Sequence, residues 1–123
     1  MIRFEADPPQ NLFTIRYGGA IAAQETERGL VEIRAGLGKL TAGFRLLVDL
    51  TELEKMDVAC APFIEKAMDL CNEKGASMVV RVIPDRYRDI GLQIMSIFHY
   101  GGEVQILTCE TLAEAAELLR PKV

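Results

Sequence analysis

Two short runs that alternate apolar and polar residues open the chain and predict two β-strands. The first run covers Ile2–Ala6 and the second covers Leu12–Tyr17. The stretch Asp7–Asn11 between them contains two prolines and an asparagine, which are residue types typical of a turn. Two strands joined by so short a segment predict an antiparallel hairpin, and Gly18 and Gly19 are predicted to end its second strand.

A change from alternating to helical spacing follows the hairpin. The apolar residues of Ile21–Leu40 fall on one stripe, which predicts a helix that ends near Gly36 or Gly38. The run Phe44–Leu50 is almost wholly apolar and predicts a strand buried on both faces, as in a parallel sheet. The polar segment Thr51–Asp57 after it is predicted to be a loop.

The remaining pattern alternates helices with strands. It predicts, in order, a helix over 58–74 with Asp57 as its N-cap, a strand over 77–83, a helix over 85–98, a strand over 104–108, and a helix from Thr111 to about Arg120. Thr111 and Glu114 form the T-x-x-E pattern of a capping box at the start of the last helix. This order predicts a single α/β domain over residues 1–123, with a mixed, mostly parallel sheet, an N-terminal antiparallel hairpin and about four helices.

Composition and charge narrow the class of protein. The chain has 123 residues, and 14 basic against 18 acidic side chains give a net charge of −4. Such a chain has no bulk attraction for nucleic acid, so no nucleic-acid partner is expected. No apolar run approaches the length of a membrane span, and the N-terminus lacks the apolar core of a signal peptide. Three cysteines, an odd number, argue against a disulfide framework and favour a cytoplasmic protein.

No set of residues in the sequence matches a known catalytic pattern. The chain has no phosphate-binding loop and no paired general acid and base at a recognisable spacing, so no catalytic residue and no cofactor are assigned and the chain is interpreted as not an enzyme. The carboxylates of Asp49, Glu52, Glu54 and Asp57 lie close in sequence and are a candidate Mg²⁺ site. A solvated loop with one helix cap is the favoured interpretation, and no metal site is assigned.

Two further features have both a functional and a structural interpretation. Cys60 lies in the first turn of a predicted helix and is a candidate reactive thiol, but burial in the core is the favoured alternative. In the predicted helix 85–98, Leu92 and Met95 lie on the side away from the Ile90–Ile94 stripe. One interpretation is that these two residues belong to a contact surface or line a ligand site. The other is that they are ordinary exposed apolar residues, and the sequence favours neither interpretation.

Three stretches resemble a known family. Leu46–Thr51 has the sequence Leu-Leu-Val-Asp-Leu-Thr, Met56 and Asp57 precede a helix, and Thr111–Ala116 opens the last helix. Together with the order of the elements, they resemble the STAS domain of bacterial anti-sigma-factor antagonists over nearly the whole chain. The resemblance implies a STAS-like fold and a regulatory role in which the loop at Asp57 contacts a partner.

The resemblance does not extend to the phosphorylation switch of that family. In switched members the aspartate is followed by two small hydroxyl residues and a glycine, and the second hydroxyl accepts phosphate from a partner kinase. The corresponding residues here are Val58, Ala59 and Cys60. Ala59 has no hydroxyl, so no phosphorylation site is assigned.

The leading hypothesis is a non-enzymatic regulatory or scaffolding module that binds a protein, either an anti-sigma-type kinase or a related regulator. A second copy of the chain is a further candidate partner. The predicted partner-binding residues are Asp57, Val58, Ala59, Cys60, Leu92 and Met95. The alternative hypothesis is a binder of a small apolar or lipid-like ligand, held in a cavity between the sheet and the second and third predicted helices.

Overall fold

A computed structural model describes residues 1–83 and 104–120 of the chain. The strands are β1 (Ile2–Asp7), β2 (Leu12–Ile21), β3 (Arg45–Met56), β4 (Met78–Val82) and β5 (Gln105–Cys109). The helices within these residues are α1 (Ala23–Leu37), α2 (Ala61–Lys74) and α3 (Leu112–Leu119), with short 3₁₀ turns at Pro8–Gln10 and Val58–Cys60. The predicted helix 85–98, with Leu92 and Met95, lies outside the described residues.

All five strands form one sheet in the order β1-β2-β3-β4-β5. β1 pairs with β2 antiparallel, and every later pair along the sheet is parallel. This confirms the predicted N-terminal hairpin and the mostly parallel sheet. The carboxyl ends of β2, β3, β4 and β5 therefore lie together at one end of the sheet, the end where α/β folds usually bind their ligands.

Two strands run further than their sequence patterns predict. β2 continues through Gly18 and Gly19 to Ile21, and β3 continues to Met56, so the predicted strand end and the predicted loop Thr51–Asp57 are both wrong. The two extensions pair with each other in parallel. Apolar residues do not alternate along these extensions, so the sequence pattern does not predict them.

Bulges explain the lost alternation in β3. Arg16 pairs with Asp49 and Gly18 with Glu52, so β3 carries an extra residue there, and a second register shift follows between Gly19 and Ala20. Each extra residue turns the following side chain back to the same face. Leu50, Leu53 and Met56 therefore all pack into one core although they are spaced by three.

The sheet separates two layers of packing. α1 and α2 cover one face, where their apolar side chains pack against β2, β3 and β4. α3 covers the other face, where Ala115 and Leu119 pack against Leu47, Val80 and Val82. The predicted capping contact at α3 is present, because the Thr111 hydroxyl accepts a hydrogen bond from the Glu114 amide at 3.2 Å.

α1 approaches the sheet closely at Gly36. A Cβ atom at this position would lie 2.5 Å from Cε1 of Phe13, a side chain with no solvent exposure. Real Cβ atoms do not approach so closely, so the helix can lie at this distance only because residue 36 is glycine. Gly38, at the end of the same helix, has its nearest such neighbour at 3.4 Å.

We predict that Gly36→Ala destabilises the chain although alanine is the better helix former. Forcing Phe13 to move should cost up to about 3 kcal/mol, which is more than the roughly 1 kcal/mol that alanine contributes by helix propensity. Gly38→Ala is the matched control and should leave stability within about 0.5 kcal/mol. Urea denaturation measures both variants, and equal midpoints for the two would contradict this packing.

Candidate partner-binding site

The segment that follows β3 is fixed to the carboxyl end of β2. The Asp57 amide donates a hydrogen bond to the Ile21 carbonyl at 3.0 Å. From there the chain makes the 3₁₀ turn Val58–Cys60 and enters α2. The predicted partner-binding segment therefore lies at the carboxyl end of the parallel strands.

Asp57 caps the short turn and not α2 itself. Its carboxylate accepts a hydrogen bond from the Ala59 amide at 2.9 Å, and its carbonyl accepts one from the Cys60 amide at 2.9 Å. α2 begins at Ala61, later than predicted, and Pro62 stands in its first positions, where a missing amide hydrogen is tolerated. The expected capping role of Asp57 is present, one turn before the helix that it was expected to cap.

The predicted contact residues divide into exposed and buried side chains. Val58 is 86% exposed, and Ala59 is also on the surface. Cys60 is fully buried, with its sulfur 3.6 Å from the Ile21 carbonyl oxygen. The burial favoured for Cys60 is thus what the structure shows, and its side chain cannot contribute to a contact surface. Val58 and Ala59 form what we call the turn surface.

The four acidic residues do not form a common site. Asp49 is buried, contacts Arg16 at 3.3 Å, and accepts a hydrogen bond from the Thr51 amide at 3.0 Å. Glu52 and Glu54 belong to β3, while Asp57 caps the following turn. Within residues 1–83 and 104–120 no group of three His, Cys, Asp or Glu side chains is placed to hold a metal ion.

A small apolar cavity lies between the sheet and α2. It has a volume of about 40 Å³, and its lining includes Tyr17, Met56, Met68, Cys71 and Arg81. Arg81 was not singled out from the sequence, although an arginine inside the apolar run Met78–Val82 was a usable signal. Its side chain is 2% exposed and donates to the Thr108 hydroxyl at 3.0 Å.

Two titratable groups have pKa values raised by their surroundings. Burial raises the pKa of the Tyr17 hydroxyl, and the nearby Cys71 and Cys60 thiols raise it further. Burial also raises the pKa of the Cys109 thiol, with a contribution from the Glu114 carboxylate. A raised pKa keeps both groups protonated at neutral pH, so neither supplies an anionic nucleophile.

Comparison with solved structures identifies the fold, whereas comparison of sequences finds no match. No protein-family model matches the sequence, and a search of curated proteins finds no relative. Similar solved structures do exist. An uncharacterized protein of the DUF3478 family with a SpoIIAA-like fold, from Shewanella loihica PV-4, superposes with a TM-score of 0.70 at 18% identity, over 97% of this chain and 92% of its own.

Two further similar structures are of the anti-sigma factor antagonist SpoIIAA. Its unphosphorylated form gives a TM-score of 0.66 at 15% identity, over 99% of this chain and 100% of its own. The phosphorylated form of SpoIIAA, the Bacillus cell fate determinant, gives 0.63 at 17% identity, over 98% and 100%. The chain therefore has a SpoIIAA-like, STAS-like α/β fold, which confirms the fold predicted from its sequence. No helix among the described residues is long and apolar enough to cross a membrane.

We predict that Asp57→Ala lowers the free energy of unfolding by about 0.5–2 kcal/mol, the usual value of an N-terminal cap. The reason is the loss of the carboxylate that accepts the Ala59 amide hydrogen. Asp57→Asn retains an oxygen acceptor and serves as the control, with a smaller loss. Thermal or urea unfolding measures the difference, and an alanine variant as stable as the parent chain would show that this cap contributes nothing.

Proposed function

We propose that this chain is a non-enzymatic regulatory module that binds a protein partner through the turn surface. The observation that carries the proposal is the 86% exposure of Val58 on a turn whose backbone is fixed by Asp57 and Ile21. A rigid turn presents an apolar side chain without a large ordering cost on binding. The STAS-like fold supports this function, because similar structures include an anti-sigma factor antagonist.

The proposed module works without a phosphorylation switch. A phosphate at the turn surface would add about two negative charges to the interface and so change partner affinity. Ala59, at the position of the acceptor hydroxyl in the resembling family, offers no oxygen to phosphorylate. The turn surface then keeps one charge state, and the concentration of the partner sets how much complex forms.

The partner best supported is an anti-sigma-type kinase or a related regulator. Val58 with Ala59 would offer such a partner a small, uncharged contact. The side chain of Cys60 does not contact the partner in this proposal. Its burial beside the Ile21 carbonyl holds the turn against the end of β2. Leu92 and Met95 remain part of the proposed contact surface on sequence grounds alone.

A second candidate function is the binding of a small apolar ligand. The observation that favours it is the apolar cavity between the sheet and α2, which the buried Arg81 also lines. Its volume of about 40 Å³ is far below the roughly 300–1,000 Å³ typical of pockets for drug-sized ligands. A lipid chain would need its lining to rearrange, so this candidate is the weaker of the two.

We predict that Val58→Lys weakens binding to an anti-sigma-factor kinase by about tenfold to a hundredfold. This range corresponds to the roughly 1.5–3 kcal/mol gained when a valine side chain is buried. The probes are the anti-sigma-factor kinases encoded in the same genome, purified singly and measured by biolayer interferometry. Val31→Lys on α1 is the matched control, because Val31 is a second exposed valine, at 66%, and is not part of the turn surface.

The same kinases test the missing switch. With ATP and Mg²⁺ the parent chain should incorporate no phosphate, while Ala59→Ser should be labelled by a kinase that binds it. The proposed function fails if no kinase binds the chain, if Val58→Lys binds as tightly as the parent, or if the parent is phosphorylated at Thr51, the hydroxyl residue that precedes the turn in β3.

A further inference from the structure

The outer edge of the sheet at β1 is a second surface with its own chemistry. β1 is the end strand, and its pairing with β2 is regular along its whole length. An unpaired edge strand offers a row of free backbone groups to another strand. Whether another strand can pair with β1 depends on the direction of its free backbone groups and on the charged side chains beside them.

The hydrogen bonds to β2 determine which backbone groups face outward. Met1 and Gly18 exchange two backbone bonds, of 2.7 and 2.8 Å, and are therefore a hydrogen-bonded pair. Such pairs alternate along an antiparallel ladder, so the residues that bond to β2 are the odd-numbered ones of β1. The amide and carbonyl groups of Ile2, Phe4 and Ala6 then point away from β2, toward the free edge.

The side chains of β1 alternate between the two faces of the sheet. Ile2, Phe4 and Ala6 pack on the side of α1, where the Phe4 ring lies against Gly29. Arg3 and Glu5 are exposed on the other side. Glu5 already lies 3.7 Å from Arg16, whereas no carboxylate within residues 1–83 and 104–120 forms an ion pair with Arg3.

The sequence of β1 is self-complementary about Phe4. If a second copy pairs antiparallel with Phe4 opposite Phe4, then Ile2 lies opposite Ala6, and each of these pairs can exchange both backbone hydrogen bonds. Arg3 then lies opposite Glu5 of the second copy at a position without backbone bonds, where Cα atoms are only about 4.5 Å apart. A shift of two residues places Arg3 opposite Arg3 in one direction. In the other direction it places Glu5 opposite Glu5, although Arg3 then lies opposite Asp7. Of these three registers, only the one centred on Phe4 has no like charges directly opposite one another.

We propose that β1 is a homodimer interface, in which two copies pair edge to edge across a two-fold axis at Phe4. The pairing joins the two sheets into one and gives Arg3 an opposite charge on the second copy. A two-fold axis requires a surface that is complementary to itself, and the charge order of β1 has that property. The proposal does not depend on the proposed function, because its residues lie on β1 and not on the turn surface.

Charge reversal in the full-length chain tests this interface. Sedimentation velocity over rising protein concentration should show the parent chain approaching twice its 13.6 kDa mass. Arg3→Glu and Glu5→Arg each place like charges opposite one another and should weaken dimerisation about tenfold or more. The combined variant restores opposite charges, so it should dimerise nearly as well as the parent.

Matched controls separate this interface from a general charge effect. Lys66→Glu and Glu73→Arg make the same charge changes at exposed sites on α2 and should leave dimerisation unchanged. Ala6→Pro removes an outward amide hydrogen that β2 does not use, and should abolish the dimer while circular dichroism shows a folded chain. A parent chain that is monomeric at its highest soluble concentration overturns the proposal, as does a combined variant no better than the single ones.

Discussion

The parallel pairing of β2 with β3 over their full lengths is the constraint on which the rest of the structure depends. The two strands remain paired from Leu12 and Arg45 to Ile21 and Met56, although β3 carries extra residues along the way. Each bulge returns an apolar side chain to the face covered by α1 and α2. The pairing therefore extends the core and also brings the two strand ends together at one edge of the sheet.

The geometry of the turn surface follows from that pairing. Because β2 ends at Ile21, its last carbonyl is available to the Asp57 amide and lies beside the Cys60 sulfur. These contacts hold the turn on its inner side, and the Asp57 carboxylate holds it through the Ala59 amide. Val58 is then left on the outside of a fixed turn. A shorter β3 would leave the same residues on a loop without these contacts.

The sequence predicts those parts of the fold whose residues repeat with a regular period or carry a distinctive cap. The hairpin, the buried run in β3 and the capping pair Thr111–Glu114 are all of this kind. The extension of β3 was not predictable in the same way, because bulges replace the period of two with a spacing of three that resembles neither strand nor loop. The burial of Cys60 also depends on where β2 ends, because its sulfur lies beside the carbonyl of Ile21. The sequence does not show where β2 ends, so a buried thiol and a reactive thiol were both possible interpretations.

The place of the turn after β3 was predictable from the sequence, but which of its side chains are exposed was not. Asp57 as a cap after a parallel strand follows from residue types alone, and the structure places it at the expected edge. The separation of Asp49 from Asp57 does not follow from their spacing in the chain, because it depends on which face of an irregular strand each side chain takes. The place of Arg81 inside the apolar run Met78–Val82 was a signal of burial, but its hydrogen-bond partner Thr108 lies on β5 and follows only from the strand order.

Backbone NMR tests the central claim, the extended pairing of β2 and β3, most directly. The account predicts nuclear Overhauser contacts between backbone protons of Gly19 and Leu53 and between Ala20 and Lys55, together with strand-like chemical shifts from Glu52 to Met56. Coil-like shifts over that segment without contacts to β2 would contradict it. The turn surface would then lack the support that this account gives it.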